Sequence, residues 1–221
     1  TVEDYFLFQR FQASLIIKDL ERYNIRAAKR FLDIGSGIGG YIYEFAERYP
    51  NTLFVSLDLN PLPFAQEKYK NKNIFTIRGD ASQSPIKNKS FDFVFASSVI
   101  EHVNNQSDFL KSISNITSSI AYISFPPFYS RVGGHSISPL HYLPGELPFK
   151  IYSKFYKQKY SSFKNYGLVK TTLESMENLV KSHFQILEIK PRFFNTLKPL
   201  IKIPLLREYV CPHIEFFLKV N

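Results

Sequence analysis

Three acidic residues and one glycine-rich turn carry the chemistry that stands out first. Asp33 lies two residues ahead of Gly35, and further glycines follow at Gly37, Gly39 and Gly40. Glycines at these positions remove side chains where the backbone turns tightly and where a ligand can approach it. Gly35-x-Gly37-x-x-Gly40, with Asp58 at the distance where an acidic residue grips a ribose, fits a dinucleotide fingerprint. Asp33 argues the other way, because a carboxylate beside a pyrophosphate repels it. A ligand with an amino group and a sulfonium cation would accept that charge.

Strands and helices must position these groups. Phe31, Leu32 and Ile34 read as a short buried strand. Ile42, Phe45, Ala46 and Tyr49 recur at helical spacing, so the glycine turn opens an amphipathic helix. Such a turn offers bare backbone and free helix N–H groups to a nucleotide-like ligand. Further strands are expected at 51–58, 73–80, 90–97, 119–125, 184–190 and 213–220. Ligands of a parallel sheet bind beyond the carboxyl ends of its strands. Asp58 is therefore placed to accept hydrogen bonds from both ribose hydroxyls, with Leu59 and Asn60 bordering the base. Its other reading is the N-cap of a helix after Pro61. The switch point between strands one and four turns Ser97 and Ser98 toward the ligand. Asp92, at the far end of strand four, reads as structural. Helices are expected at 108–117 and after a capping box Thr171-x-x-Glu174. The last two strands, with no crossover helix between them, should be antiparallel.

Three stretches resemble the class I S-adenosylmethionine-dependent methyltransferases. They are Asp33-x-Gly35-x-Gly37-x-Gly39, Gly79-Asp80-Ala81, and Phe91-Asp92-Phe93-Val94 leading to Ser97-Ser98-Val99-Ile100-Glu101-His102-Val103. The resemblance is strong over 31–125. It implies an α/β, Rossmann-like, seven-stranded, mostly parallel sheet with helices on both faces, an antiparallel last strand and a lid insertion after strand five. It implies S-adenosyl-L-methionine as cofactor, held by Asp33, Gly35, Ser36, Gly37, Gly39, Asp58, Leu59, Asp80, Ala81, Ser97 and Ser98. Asp80 would take the exocyclic amino group of adenine, and the next backbone N–H would contact the ring. The implied activity is in-line methyl transfer to a small-molecule, sugar or lipid-like acceptor. A non-catalytic cofactor-binding regulator, an RNA methyltransferase and a nicotinamide-dependent oxidoreductase remain as alternatives. Nucleic acid ranks below a small acceptor because no appended RNA-binding module is visible. Pro126-Pro127-Phe128-Tyr129 is similar to a motif of nucleic-acid amine methylases, but it follows strand five rather than four.

The acceptor side is read from the segments around this core. Residues 1–29 read as a helical cover, with Phe8, Phe11, Leu15, Ile16, Leu20 and Tyr23 three or four apart. Tyr5 and Arg10 on it fit either pocket or packing roles. Residues 126–170, rich in Pro, Gly, Tyr and His, read as a lid. Tyr129, Arg131 and Tyr142 are its candidate acceptor contacts. His135, His141 and His102 are the candidate bases, in that order; His102 equally fits orienting the acceptor or capping a helix. No metal is expected, since the lid histidines have no acidic partner nearby in sequence. The basic, apolar stretch 192–212 suits packing or a homodimer contact ahead of peripheral membrane contact.

Bulk properties bound the rest. A chain of 221 residues with 44% hydrophobic and 21% charged residues suits one soluble domain, 1–221. The net charge of +9 suits an anionic small acceptor, nucleic acid, an anionic membrane surface or a lysine-rich solvated surface. One cysteine excludes an internal disulfide and any Cys-based zinc site. With no signal pattern visible, a cytoplasmic location is the expectation.

Overall fold

The computed structural model describes residues 1–70, 72–84, 86–156 and 159–221. Seven strands form one sheet: β1 Arg30–Ile34, β2 Leu53–Asp58, β3 Ile74–Arg78, β4 Phe91–Ser97, β5 Thr117–Phe125, β6 Phe184–Pro191 and β7 Ile214–Val220. Their order is β3-β2-β1-β4-β5-β7-β6. Strands β1 to β5 pair in parallel, and β7 runs antiparallel to both β5 and β6. This is the expected architecture, reversed strand included.

Helices cover both faces. They are α1 Val2–Glu21, α2 Gly40–Arg48, α3 Pro63–Tyr69, α4 Gln106–Ile116, α5 Leu147–Phe155, α6 Phe163–Tyr166, α7 Leu173–Lys181 and α8 Pro204–Val210. Neighbouring residues on a strand point to opposite faces, so the central strands are apolar on both. One face is aliphatic: Leu32, Val94, Ala121 and Leu218 meet Phe109, Ile113 and Met176 of α4 and α7. The other is aromatic: Phe31, Phe54, Phe93, Phe95, Tyr122 and Phe217 meet α1 and α2. Phe31 stacks on Phe93 at 5.3 Å, and Phe95 on Tyr122 at 4.7 Å. Among the described residues, more buried Phe and Tyr side chains belong to this layer than to the aliphatic one. Asp92 ties the sheet's amino-terminal edge, where its Oδ2 accepts from the Lys29 and Arg30 amides.

Two expectations shift. The buried residues of α1 are Phe6, Ala13, Ile16, Ile17 and Leu20, while Phe8, Phe11 and Leu15 face outward. The helix carries apolar residues on two sides, and the small side chain of Ala13 allows close packing against the sheet layer. The capping residue of α7 is Thr172, paired reciprocally with Ser175. Glu174 does not close the box, because the buried Glu208 carboxylate accepts from the Leu173 and Glu174 amides. Between β5 and α7, short 3-10 turns, α5 and α6 build a small satellite core of Ile137, Phe149 and Tyr152. Residues 195–202 form a 3-10 helix, and Pro204 starts α8. Among the described residues no helix is long and apolar enough to cross a membrane.

Candidate active site

Parallel pairing brings the ends of β1 to β4 to one edge. Asp33 lies opposite Ser56 and Asp58 opposite Arg78, with Asp80 just past β3. The turn after β1 is built around these carboxylates. Gly35 donates its N–H to the Leu57 carbonyl at 2.7 Å. Gly37 donates to Asp58 Oδ2 at 2.9 Å, and Asn60 donates to Asp58 Oδ1 at 2.9 Å. Gly35 has φ +67°, and a Cβ there would lie 2.4 Å from Val99 Cγ2. Gly39 has φ +81°, and a Cβ there would strike the Tyr69 hydroxyl at 2.1 Å. The first amide of α2, Gly40 N–H, donates to Gln9 Oε1 of α1 at 2.9 Å.

Asp33 is 3% exposed, and its Oδ2 has no hydrogen-bond partner among the described residues. Burial first, and then the Asp58 charge, push its pKa well above the usual carboxylate range. A buried carboxyl oxygen without a partner beside a second carboxylate favours a cationic neighbour over an anionic one, though Asp33 itself lines neither of the cavities on this edge that share Gly35.

Two cavities on this edge share Gly35 in their walls, and a third, of about 360 Å³ and lined by Leu59, Asp80, Ser82 and His102, adjoins the first. The first, of about 100 Å³, is walled by Leu57, Val99, Val103 and Phe109, with Asp58 and Asp80 at its rim. Its apolar walls suit a flat base, and its carboxylates suit ribose hydroxyls and an amino group. Leu59 and Ala81 also line it. The Asp80 side chain additionally accepts from the Ser82 amide at 2.8 Å. The second cavity, of about 360 Å³, lies under α1 and is lined by Tyr5, Tyr41, Ser97, Ser98, Arg192 and His213.

The floor of the second cavity is a buried ionic network. Arg192 is 2% exposed; it donates to Ser97 Oγ at 3.0 Å and to the Tyr41 hydroxyl at 2.8 Å. Its Nε lies 3.7 Å from Glu215 Oε1, and Glu215 also takes Lys190 and the Tyr122 hydroxyl. Burial, and then Arg192, hold His213 well below its ordinary pKa, so its imidazole is neutral. Sequence reasoning missed Tyr41, Arg192 and His213. The available signal was positional: Arg192 and His213 bracket the ends of the last two strands.

The remaining candidates separate. Ser36 turns inward and shares a hydrogen bond with Ser56 Oγ at 2.6 Å. Arg10 pairs with Glu44 of α2 and lines neither cavity, so it is a packing residue. Tyr129 packs on Phe128 and Tyr209, and the Tyr142 hydroxyl donates to the Tyr129 carbonyl. Arg131 is exposed, and its carbonyl accepts from Ser138. None of these three reaches either cavity. His141 is buried, with Nε2 3.2 Å from the Ser130 carbonyl and its ring against Phe128. Its packing makes it part of the framework of the segment between β5 and α7.

His102 and His135 do come together, 5.0 Å apart between ring centres. Glu101 joins them: its Oε1 is 3.9 Å from His135 Nε2. His135 therefore has the acidic neighbour that sequence spacing does not reveal. Burial raises the Glu101 pKa to about 8, and burial with the nearby His102 lowers that of His135 to about 4. Without a further partner, both groups sit uncharged near neutrality.

Comparisons with known proteins agree with this geometry. A family model described as a methyltransferase domain matches residues 32–125. N-methyltransferase 4 of Papaver somniferum is 34% identical over 103 residues, covering 44% of this chain; the chain spans only 29% of that enzyme's length. A Pyrococcus horikoshii protein of known structure superposes with a TM-score of 0.68 at 15% identity, covering 96% of this chain and 91% of its own. A phosphoethanolamine N-methyltransferase from Haemonchus contortus, solved with phosphomonomethylethanolamine and S-adenosylhomocysteine, superposes at TM-score 0.60 and 18% identity, covering 91% of this chain and 51% of its own. The glycine turn and the carboxylate rim thus lie within the stretch, residues 32–125, that matches a methyltransferase domain, and the whole sheet shares its fold with these solved structures.

Proposed function

We propose that the protein transfers a methyl group from S-adenosylmethionine to a small acceptor held in the cavity beneath α1. The observation that carries this reading is that the two cavities share Gly35 in their walls. One is apolar with a carboxylate rim; the other is polar and floored by Arg192 and His213. S-adenosylmethionine supplies an activated methyl group on a positively charged sulfur. Asp58 and Asp80 are positioned to hold the ribose and the base, and Asp33 to balance positive charge near the turn. Ser97 and Ser98 separate donor from acceptor, and α1 excludes water from above.

The leaving group is activated before it arrives, so the protein's contribution is mainly to hold the reactants in near-attack geometry. The acceptor's lone pair forms the new bond to carbon as the carbon–sulfur bond breaks, and the electron pair leaves with sulfur. Arg192, already paired in part with Glu215, orients a polar or anionic acceptor, and neutral His213 offers a hydrogen bond. Small-molecule chemistry is supported by the size of the polar cavity, about 360 Å³, and by similarity to an N-methyltransferase.

The test is calorimetric titration with S-adenosylmethionine, followed by incubation with isotopically labelled methyl donor and pools of small acceptors, read by mass spectrometry. One equivalent should bind, and labelled small products should appear. Absence of binding at millimolar donor would end the reading. Binding without product from any pool would favour a non-catalytic regulator.

A further inference from the structure

The loop after β4 holds a polar cluster that methyl-donor binding does not use. Glu101 is 1% exposed, and neither carboxylate oxygen has a hydrogen-bond partner among the described residues. His135 Nε2 is likewise buried without a hydrogen-bond partner. His102 Nδ1 lies 2.6 Å from the Gly167 carbonyl. With its proton on Nδ1, that imidazole donates to Gly167 and presents the Nε2 lone pair. One donor atom from each of Glu101, His102 and His135 falls within 4.8 Å of the others. Ser98 and His135, on either side of the cluster, both hold left-handed backbone, at φ +57° and +52°.

Buried carboxylate and imidazole atoms without partners are costly, about 1–3 kcal/mol each, and call for an explanation. A proton shared between Glu101 and His135 would satisfy one atom of each, but 3.9 Å is too long for that bond. A cation satisfies all of them at once. We propose that Glu101, His102 and His135 form a binding site for a divalent transition-metal ion of the zinc type. The donor set decides the class. Two imidazoles and one carboxylate suit zinc, cobalt or manganese, whereas calcium and magnesium take oxygen shells. Metal–donor bonds of about 2.0–2.2 Å require the three atoms to close in slightly from their present spacing. The Gly167 carbonyl supplies the outer hydrogen bond that fixes a ligating histidine's tautomer.

Three protein ligands leave at least one position open. The place of that opening gives the site its use. His102 lines a cavity of about 360 Å³ that shares Leu59, Asp80 and Val103 with the base cavity. An acceptor hydroxyl bound there would lose its proton more readily, and the resulting oxygen keeps lone pairs for attack on the methyl carbon. This role rests on the methyl-transfer reading; metal binding itself does not.

The protein is stripped with chelator and titrated with zinc and with cobalt by calorimetry, with cobalt also followed by its visible absorption. One equivalent should bind per chain. Glu101→Gln, an isosteric change, and His135→Asn, which tolerates the left-handed backbone, should each weaken binding by about 100-fold or more. X-ray absorption on the zinc-loaded wild type should report two imidazoles with oxygen, a reading that depends on no variant. Absence of binding, unchanged affinity in Glu101→Gln, or a sulfur or all-oxygen shell would each overturn the site. Titration of the same samples with S-adenosylmethionine separates the two claims: metal without donor binding sinks only the methyl-transfer reading.

Discussion

Replacing Asp58 by Asn changes few atoms and tests the whole carboxylate edge. Each carboxylate oxygen already accepts one backbone amide, Gly37 N–H on Oδ2 and Asn60 N–H on Oδ1, both at 2.9 Å. An amide side chain has only one oxygen, so Asn must turn its NH2 group against one of those N–H groups. Gly37 is half-buried and Asn60 exposed, so losing one of these bonds costs about 0.5–1.5 kcal/mol, and that loss should appear in urea denaturation. A bound ribose loses a charged acceptor as well. A hydrogen bond to a charged group is worth about 1.5–3 kcal/mol, so affinity should fall by about 10- to 150-fold. Both S-adenosylmethionine and S-adenosylhomocysteine carry the ribose, so calorimetry should show the two losses to be equal. If Asp58→Asn binds both ligands as the wild type does, the carboxylate does not hold the ribose. If only the sulfonium ligand weakens, Asp58 acts through charge and the hydroxyl assignment is wrong.

Other perturbations address the neighbouring parts. Gly35→Ala forces a left-handed alanine, costing about 1–2 kcal/mol, and drives its Cβ into Val99; donor binding should drop at least tenfold, and Gly35→Ala/Val99→Ala should recover only part of it. Arg192→Met leaves Glu215 buried with only Lys190 and Tyr122, and chemical denaturation should show a loss of about 3–5 kcal/mol. Adding Glu215→Gln should restore part of that loss, whereas strict additivity would mean that the two side chains are not coupled. Asp33, with its pKa raised by burial, contributes stability at low pH that is lost as pH rises through its folded value. A cation bound beside it favours the ionised form, so donor affinity should rise with pH as protons are released. Calorimetry in buffers of different ionisation enthalpy measures that release, and Asp33→Asn should abolish it.

The first four strands were legible because each is an apolar run that ends in or runs into glycine, aspartate or serine. The run 31–34, the strand ending at Asp58 and the reversed pair at the chain's end needed no long-range information. The face presented by α1 was not legible, because Phe8, Phe11 and Leu15 have the same spacing as the residues that are buried. What decides between the two faces is where Gly40 lets the helix approach: a Cβ there would meet Gln9 Cβ and the Phe6 carbonyl at 2.5 Å. The acceptor floor was hidden for a related reason. Arg192 lies 95 residues from Ser97 and 151 from Tyr41, and only the strand order makes them neighbours. Arg10, Arg131 and Tyr142 have the right chemistry for acceptor contacts, but the fold commits them to Glu44, the surface and Tyr129. Glu101 and His135 stand 34 residues apart, which conceals their pairing.

The glycine turn itself explains why a dinucleotide pattern can serve a sulfonium nucleoside. Phosphate sites at a helix start depend on free backbone N–H groups. In this turn the four glycine amides are already taken: Gly35 by the Leu57 carbonyl, Gly37 by the Asp58 carboxylate, Gly39 by the Ser36 carbonyl and Gly40 by Gln9. A diphosphate would have to displace a carboxylate and then lie beside Asp33, which is itself unpaired and buried. A ligand with positive charge reverses both terms. It leaves the Asp58 bonds in place, and it favours the ionised form of Asp33 that burial opposes. On the proposed reading, the same glycines would select opposite charges according to what accepts from their amides, with Asp33, Asp58 and Gln9 setting that choice rather than the spacing of the glycines.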